Sequence, residues 1–330
     1  MSRLHCESET LMVVLECGSP IPLIVTAVAE EFQSRGNEPG SLGQSNCFAQ
    51  KGNTLNIVLA HGILGFKERF GIEYFNGVAE HLREIPAKVF VPVVSPTGGI
   101  AQRGEELRRQ IITAFNDGTL DPNQKAHIIG HSMGGLDSRY LLSPASKKPS
   151  GEDVAARIAS LTSVSSPHRG SPIADRLALR PTEETGVLNH LQGIIKHLSD
   201  LEEGVGEILN HFGISVQGLE DLTTESMQKF NQRYPDHPAI RYFSVAGAGR
   251  PGASATALIL LPFHEYIQAH TGQPNDGLVQ VASARWGDFD PDTWPCDHAE
   301  EVGHDLDHPL EAPRFSYLER YDKIVKRAST

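Results

Sequence analysis

The chain has 330 residues, of which 39% are hydrophobic and 21% charged, which is sufficient for one large α/β domain. Its formal net charge of -12 argues against nucleic acid as a partner and gives no electrostatic attraction to anionic membranes. The sequence has no continuous apolar run of about 18 residues, so it predicts no transmembrane helix.

The first 53 residues lack the regular patterns of a packed domain. The apolar stretch around residues 11–31 is interrupted by Glu16 and Pro20, and acidic residues precede it where a signal peptide has positive charge. Residues 34–53 are rich in Gly, Ser, Asn and Gln, as linkers are. We therefore expect residues 1–53 to form a poorly ordered extension, and the lack of a clear signal peptide favours an intracellular over a secreted protein.

The four cysteines do not form a metal-binding pattern. Cys6, Cys17 and Cys47 lie in the extension, Cys296 lies near the other end, and no CxxC pair occurs. We therefore expect free thiols and no structural zinc site.

From residue 54 onward, short apolar segments alternate with segments of helical spacing. The strand-like segments are "LNIVLA" (55–60), "AKVFVPVV" (87–94), "AHIIG" (126–130), "IASLTSVSS" (158–166) and "AIRYFSVAG" (239–247). Helical spacing occurs in residues 73–84, 103–118 and 314–327. This alternation predicts βαβ units, a parallel sheet and a single α/β domain over residues 54–330.

A long insertion separates the last two of these strand-like segments. Within residues 172–235, Leu188, Leu191, Ile195 and Leu198 share one stripe of a predicted helix. The pattern predicts a helical cap, and the sequence leaves open whether the cap is fixed or is a mobile lid over an apolar site.

The segment "IIGHSMGG" (128–135) joins a strand to a helix through a serine. Gly130 and Gly134 flank Ser132 in the G-x-S-x-G pattern of a nucleophile elbow, which presents the hydroxyl at the carboxyl end of the sheet. The amides that begin the following helix face any negative charge that develops there. We therefore predict that Ser132 is a catalytic nucleophile.

A serine nucleophile requires a histidine base and a carboxylate that orients the base. In a hydrolase of this type they follow in the order Ser, Asp or Glu, His. Asp276 lies in the turn "PNDGLVQ", which we expect to follow a strand, and His298 lies in the polar loop "PCDHAEEVGHD". His304 and His308 are alternative bases, and the distance from Asp276 favours His298.

The oxyanion of an acyl-transfer intermediate requires backbone amide donors. The residue after the nucleophile, Met133, supplies one of them. The segment "IVLAHGILGF" ends a strand at His61 and Gly62, so it predicts Ile63 as the second donor. We expect His61, Gly62 and His131 to support the site.

Taken together, these motifs resemble the bacterial triacylglycerol lipases of the Pseudomonas/Burkholderia type, in the α/β-hydrolase superfamily. The matching blocks include "VLAHGILGFKERFG", "RGEELRRQI", "HIIGHSMGGLDSRYL", "SSPHRGS", "PNDGLVQ" and "DHAEEVG", in family order from residue 57 to about residue 304. The resemblance implies the α/β-hydrolase fold, with a mostly parallel central sheet, flanking helices and a helical lid or cap. It also implies hydrolysis of acylglycerol esters through an acyl-enzyme.

The resemblance assigns roles to individual residues of this chain. It implies the nucleophile, the acid, the base, the two oxyanion amides and a supporting arginine: Ser132, Asp276, His298, Ile63, Met133 and Arg103.

The resemblance also implies a structural calcium ion near the catalytic histidine, and here the chain departs from the family. An aspartate two residues after the histidine and a glutamine six residues after it are replaced by Glu300 and His304. A further aspartate that precedes the catalytic acid has no counterpart in "SATALILL" (254–261). Calcium requires several oxygen ligands, so we expect no metal cofactor, and Glu300 and His304 are the remaining candidates.

Other functions remain open at this point. A short-chain carboxylesterase or an acyltransferase would use the same fold and the same three residues. A non-catalytic binding protein would have no need for all three. The predicted partner is an ester or lipid substrate, bound in some cases at a lipid–water interface.

Overall fold

The computed structural model describes residues 54–63, 73–96, 98–146, 153–179, 216–249, 256–258, 260–307 and 315–330. These residues all belong to the second of two units into which the chain divides, residues 50–330. The predicted extension, with Cys6, Cys17 and Cys47, lies outside the described residues. Residues 180–215 of the predicted cap, with its leucine stripe, also lie outside them.

The described strands form one parallel sheet of six strands. They are β1 (Leu55–Ala60), β2 (Ala87–Phe90), β3 (Ala126–His131), β4 (Ile158–Val164), β5 (Arg241–Val245) and β6 (Asp288–Phe289). Their order is β2-β1-β3-β4-β5-β6, and each neighbouring pair is parallel. Gly130 of β3 pairs with Ala60 of β1 and with Ser163 of β4, so the three central strands end at one edge. The predicted α/β class and parallel sheet are confirmed.

The helices lie between and around these strands. In chain order they are α1 (Val78–Arg83), α2 (Ile100–Asn116), α3 (Met133–Leu142), α4 (Pro172–Leu179), α5 (Val216–Asp221), α6 (Thr224–Arg233), α7 (Leu261–Thr271), α8 (Val281–Ala284) and α9 (Tyr317–Ser329). Short 3-10 turns occur at Val154–Arg157 and Glu300–Val302.

Strand β1 is apolar except for Asn56, because both of its faces are buried. Successive strand residues point to opposite faces of the sheet. Val58 and Ala60 therefore pack on the side of α2, with Leu107, whereas Ile57 and Leu59 pack on the side of α1 and α9. Burying one such side chain stabilises the fold by about 1.5–3 kcal/mol. The core thus lies on both faces of the sheet and fixes the position of the strand ends.

Helices α4, α5 and α6 come from the region predicted as a cap. An apolar cluster joins this region to α2, α3 and the end of β1, and its members include Ile63, Ile100, Met133, Ala174, Leu222, Met227 and Phe230. The described part of the cap region therefore packs directly behind the start of α3. The distinction between a fixed cap and a mobile lid depends on residues 180–215, so it stays a prediction.

Two local expectations are wrong. Strand β2 ends at Phe90 rather than at residue 94, because the backbone of Val93 is hydrogen-bonded to the Gln110 side chain instead of to a strand. Asp276 does not follow a strand: helix α7 precedes it, ending at Gly272 with a left-handed φ of 64°. Among the residues described, no helix has the length and apolar character needed to cross a membrane.

Candidate active site

Ser132 occupies a sharp turn between β3 and α3. Its φ of 54° and ψ of -128° lie where a non-glycine residue is strained, at a cost of about 1–3 kcal/mol. Its amide donates to the Val164 carbonyl at 2.9 Å, which continues the sheet up to the nucleophile. A Cβ on Gly134 would lie 2.1 Å from the Ala60 carbonyl oxygen, so only glycine permits this approach of the helix to β1. The local geometry is that of a nucleophile elbow.

Asp276 and His298 form a buried pair. His298 Nδ1 donates to Asp276 Oδ2 at 2.8 Å, which leaves Nε2 as the basic nitrogen of the ring. The other carboxylate oxygen accepts the amides of Leu278 (2.9 Å) and Val279 (2.7 Å). Burial acts to raise the pKa of Asp276, but His298 and these amides hold it below its ordinary value. Asp276 therefore stays ionised and fixes the tautomer of His298.

The pair lies beside the nucleophile. The rings of His298 and His131, the residue before Ser132, have centroids 4.5 Å apart. Ser132 and His298 are 7% and 8% exposed, so both are covered but reachable. Of the alternative bases, His304 is bonded to the backbone carbonyl of Glu73, and His308 lies outside the described residues. The structure thus pairs Asp276 with His298 and places the His298 ring against the residue that precedes Ser132.

The loop after β1 passes against Ser132 from the opposite side. A Cβ built on Gly62 would lie 2.8 Å from Ser132 Cβ, so the Gly62 backbone lies against the Ser132 side chain. The next residue, Ile63, belongs to the same apolar cluster as Met133. The two segments that carry the predicted oxyanion donors therefore flank the nucleophile.

Arg103 holds this loop, which we call the oxyanion loop (His61–Ile63). Its guanidinium donates to the carbonyls of His61 (2.7 Å), Gly62 (3.1 Å) and Ser95 (2.5 Å). Its Nε donates to Asp137 of α3 at 2.8 Å, and Arg103 is wholly buried. Three of these charge-assisted bonds thus tie the oxyanion loop to the helix behind the nucleophile, and the fourth reaches Ser95.

The sequence patterns did not identify Asp137 as a site residue. Burial raises the pKa of Asp137 to about 7, while the Arg103 guanidinium opposes that shift. The signal in the sequence was a carboxylate in "MGGLDSRYLL", a helix that is buried at every position. A charge in such a helix requires a partner of opposite charge, and Arg103 is that partner.

His61 is a fixed neutral ring. It donates from Nδ1 to the Gly62 carbonyl at 2.8 Å and accepts the Val94 amide at Nε2 at 3.1 Å. Burial, with a smaller effect of Arg103, lowers the pKa of His61 to about 3. Its role is to shape the oxyanion loop, because both ring nitrogens are occupied.

Tyr74 and Glu301 were also missed, and they surround His131. The His131 ring is bonded at Nδ1 to the Tyr74 hydroxyl (2.7 Å) and at Nε2 to Glu301 Oε2 (2.9 Å). The Ser165 hydroxyl donates to the other carboxyl oxygen of Glu301 at 2.5 Å. Glu301 lies in the quoted block "DHAEEVG", but nothing local separates its role from that of Glu300.

The loop that carries His298 is fastened to the chain just after the oxyanion loop. The Asn76 amide and side chain donate to the carbonyls of Val302 (2.9 Å) and Gly303 (2.7 Å). His304 Nε2 donates to the Glu73 carbonyl at 2.8 Å. These bonds join the loop that carries His298 to the segment between β1 and α1.

The residues at the expected calcium position do not fit that ion. His304 offers a nitrogen that already donates to a carbonyl, and Glu300 Oε2 accepts the Asp297 amide at 3.1 Å. Asp297 Oδ2 accepts the Ala257 amide at 2.8 Å, and the Asp307 carboxylate accepts the Leu258 amide at 3.0 Å. The segment where the family carries an acidic ligand thus presents N–H donors that bind these carboxylates directly.

Comparisons with known proteins agree with this geometry. The family described as "Putative serine esterase (DUF676)" matches residues 53–185. A triacylglycerol lipase of Vibrio cholerae serotype O1 is 31% identical over 284 residues, which cover 78% of this chain and 83% of the relative. A triacylglycerol lipase of Pseudomonas fragi is 30% identical over 278 residues, covering 75% and 87%.

Solved structures show the same fold. The Staphylococcus hyicus lipase superposes with a TM-score of 0.61 at 20% identity, over 86% of this chain and 97% of that one. The metagenomic carboxyl esterase MGS0156 gives the same TM-score at 18% identity. Because the Vibrio and Pseudomonas relatives match most of both chains, the resemblance drawn from the motifs is confirmed, and this chain belongs to the triacylglycerol lipase family of α/β-hydrolases.

Proposed function

We propose that the protein hydrolyses carboxylic esters of acylglycerols, with Ser132 as nucleophile, His298 as general base and Asp276 as the orienting acid. The observation that carries this proposal is the 2.8 Å bond from His298 to a buried Asp276, beside a serine on a strained elbow. A structural role for Ser132 does not explain why the strain is kept at that position.

The first half of the reaction forms an acyl-enzyme. His298 Nε2 takes the proton of Ser132 Oγ as the oxygen attacks the ester carbonyl carbon. Asp276 stabilises the imidazolium that results. The amides of Ile63 and Met133 bind the oxyanion of the tetrahedral intermediate, and Arg103 keeps the first of them in place.

The second half releases the products. The imidazolium of His298 gives its proton to the leaving alcohol as the carbon–oxygen bond breaks. Water then attacks the acyl group, His298 takes the proton of that water, and Ser132 Oγ leaves with that proton.

The apolar cluster around Ile63 and Met133 supports a substrate with an acyl chain. It continues into α4–α6, so apolar surface begins directly beside the oxyanion donors. A long chain from a lipid–water interface fits such a surface better than acetate does. Hydrolysis of short soluble esters is the second candidate, because it needs only the residues around Ser132.

Calcium takes no part in this proposal. The amides of Ala257 and Leu258 already satisfy the carboxylates of Asp297 and Asp307. These direct bonds hold the His298 loop at the place where the family uses a metal.

The test compares a soluble butyrate ester with emulsified long-chain triglyceride, using Ser132→Ala as the blank. We expect a loss in kcat of at least about 10⁴-fold in the variant and loss of labelling by a fluorophosphonate. Turnover near that of the wild type in Ser132→Ala would contradict the assignment. Activity on butyrate alone would keep the mechanism and favour an esterase, and acyl transfer to an added alcohol would favour an acyltransferase.

A further inference from the structure

A line of hydrogen bonds runs from the oxyanion loop to the catalytic acid. The Tyr74 hydroxyl lies against Gly62, since a Cβ built on Gly62 would be 2.5 Å from the hydroxyl oxygen. The same hydroxyl is 2.7 Å from His131 Nδ1, and His131 Nε2 is 2.9 Å from Glu301 Oε2. Glu301 Oε2 in turn lies 3.7 Å from His298 Nδ1, the nitrogen that is bonded to Asp276. His131 and Glu301 are buried and Tyr74 is half-buried, and the mechanism above uses none of the three.

The directions of these bonds follow from their chemistry. Because the Tyr74 hydroxyl has Gly62 on one side and His131 Nδ1 on the other, the phenol proton points at that ring nitrogen. His131 then carries its own proton on Nε2 and donates it to Glu301. Glu301 and Asp276 both face His298 Nδ1, and the proton that two neighbouring carboxyls share stays on Glu301 because Asp276 is held ionised by His298.

The electrostatics agree with an uncharged line. Burial lowers the pKa of His131 well below its ordinary value. Burial, and then the charge of Asp276, raise the pKa of Glu301 well above its ordinary value. Besides His131, the titratable groups that face Glu301 are Asp276, Cys296, Asp297, His298 and Tyr321.

Glu301 is fixed in orientation on its other side. Its Oε1 accepts the Ser165 hydroxyl, and Ser165 Oγ accepts the Gly247 amide at 2.9 Å. Ser165 has a φ of 44° and is one of two described non-glycine residues with positive φ, the other being Ser132. A Cβ at Gly247 would lie 2.0 Å from Glu301 Oε1. Backbone strain is thus maintained at a second position to hold this carboxyl.

We propose that Tyr74, His131 and Glu301 form an uncharged line of hydrogen bonds, each donated in the same direction, that couples the oxyanion loop to Asp276. Tyr74 and Glu301 are then positioning residues for ester hydrolysis. The inference rests on the proposed function. Tyr74 keeps Gly62, and hence the Ile63 amide, in the orientation that receives the oxyanion. Glu301 acts on Asp276 as a proton donor and carries no charge toward His298, 3.7 Å away.

The first experiment is Tyr74→Phe, which removes one hydroxyl and keeps the ring. Because the oxyanion forms only after attack, we expect kcat on the butyrate ester to fall about 10-fold with KM within twofold. Binding of a boronic acid, which forms an anionic adduct with Ser132, should weaken by the same factor. Tyr317→Phe is the matched control, since its buried hydroxyl donates to the Asn76 carbonyl (2.9 Å) outside this line. Equal kinetics in the two variants would overturn the inference.

The second experiment is Glu301→Gln, which keeps an uncharged side chain of the same shape. We expect the acid limb of the pH profile of kcat/KM to stay where it is in the wild type. If Glu301 were a carboxylate, its loss would move that limb down by about 1 unit, because the base would lose a neighbouring negative charge. Such a shift would overturn the uncharged state.

The third experiment combines both substitutions in one chain. If Tyr74 and Glu301 act through the same line, the double variant should lose no more kcat than the more damaging single variant. Losses that multiply would show independent effects and overturn the coupling. An inactive wild type that no fluorophosphonate labels would overturn the proposed function, and this inference with it. An active wild type in which Tyr74→Phe is silent would overturn the inference alone.

Discussion

The two sides of Ser132 differ in polarity. On one side, Ile63 and Met133 are part of an apolar cluster that extends into α4–α6. On the other, His298 is surrounded by buried polar groups, each bonded to a specific partner. Apolar contact is non-directional and tolerates change, whereas a buried polar group is costly as soon as it loses its partner. The first side is therefore suited to hold substrates of varied shape, and the second to control where protons lie.

The largest expected effect lies on the polar side, at Asp276. Asp276→Asn should lower kcat by about 10³–10⁴-fold, because the amide favours the wrong tautomer of His298. Asp297→Asn is the matched control: this carboxylate precedes His298 but binds backbone amides, so we expect a loss below about 10-fold. Steady-state kinetics on the butyrate ester measure both. The reverse order of effects would move the acid from Asp276 to Asp297.

On the apolar side, the effect should fall on stability instead. Met227 is wholly buried in the cluster, and Met227→Ala should lower the free energy of unfolding by about 2–4 kcal/mol. We expect kcat per folded molecule on butyrate to stay within about threefold, because no proton or charge is disturbed. Urea unfolding and active-site titration separate the two quantities. A large fall in kcat in a Met227→Ala variant that is fully folded would contradict the distinction between the two sides.

Arg103 is a buried charge on the side of the oxyanion loop, so a conservative change there sharpens the comparison. Arg103→Lys keeps the charge beside Asp137 but loses the fork that binds several carbonyls of the oxyanion loop and of Ser95. We expect kcat to fall about 10-fold with little change in KM. Arg108→Lys, a buried arginine of the same helix bonded to Ser146, is the control and should leave kcat unchanged.

The smallest expected effect is that of metal removal. Because Asp297 and Asp307 bind the amides of Ala257 and Leu258, EDTA should leave kcat unchanged. It should also shift the melting temperature by no more than about 1 °C. Added calcium should be equally without effect. Stabilisation by calcium that disappears in Asp307→Asn would show that the family's metal is retained here.

The sequence was informative wherever a pattern is local. The apolar runs such as that of β1 were sufficient to predict the sheet, and the glycines around Ser132 and the chain order of Asp276 and His298 were sufficient to propose the three central residues. Periodicity reports that a residue is buried but not which polar group it meets. Asp137 and Arg103 are 34 residues apart, and Ser165 and Glu301 are 136 apart, so their pairing depends on tertiary packing.

The same limit explains why a strand was wrongly predicted before Asp276. The turn chemistry of "PNDGLVQ" was visible, and the Asp276 carboxylate does accept the amides of Leu278 and Val279. Which element leads into that turn is not encoded in the turn itself. Helix α7 occupies the place where a strand was expected.

The bonds between residues 73–76 and the His298 loop have a consequence for the order of folding. Asn76 and Gly303 are separated by 227 residues, and Glu73 and His304 by 231. Closing such long loops is entropically unfavourable until the intervening strands are in place. The elbow can assemble from neighbouring segments of the first half of the domain, but the base reaches it only after the last quarter of the chain has docked. A nascent or truncated chain thus holds its serine without the means to activate it.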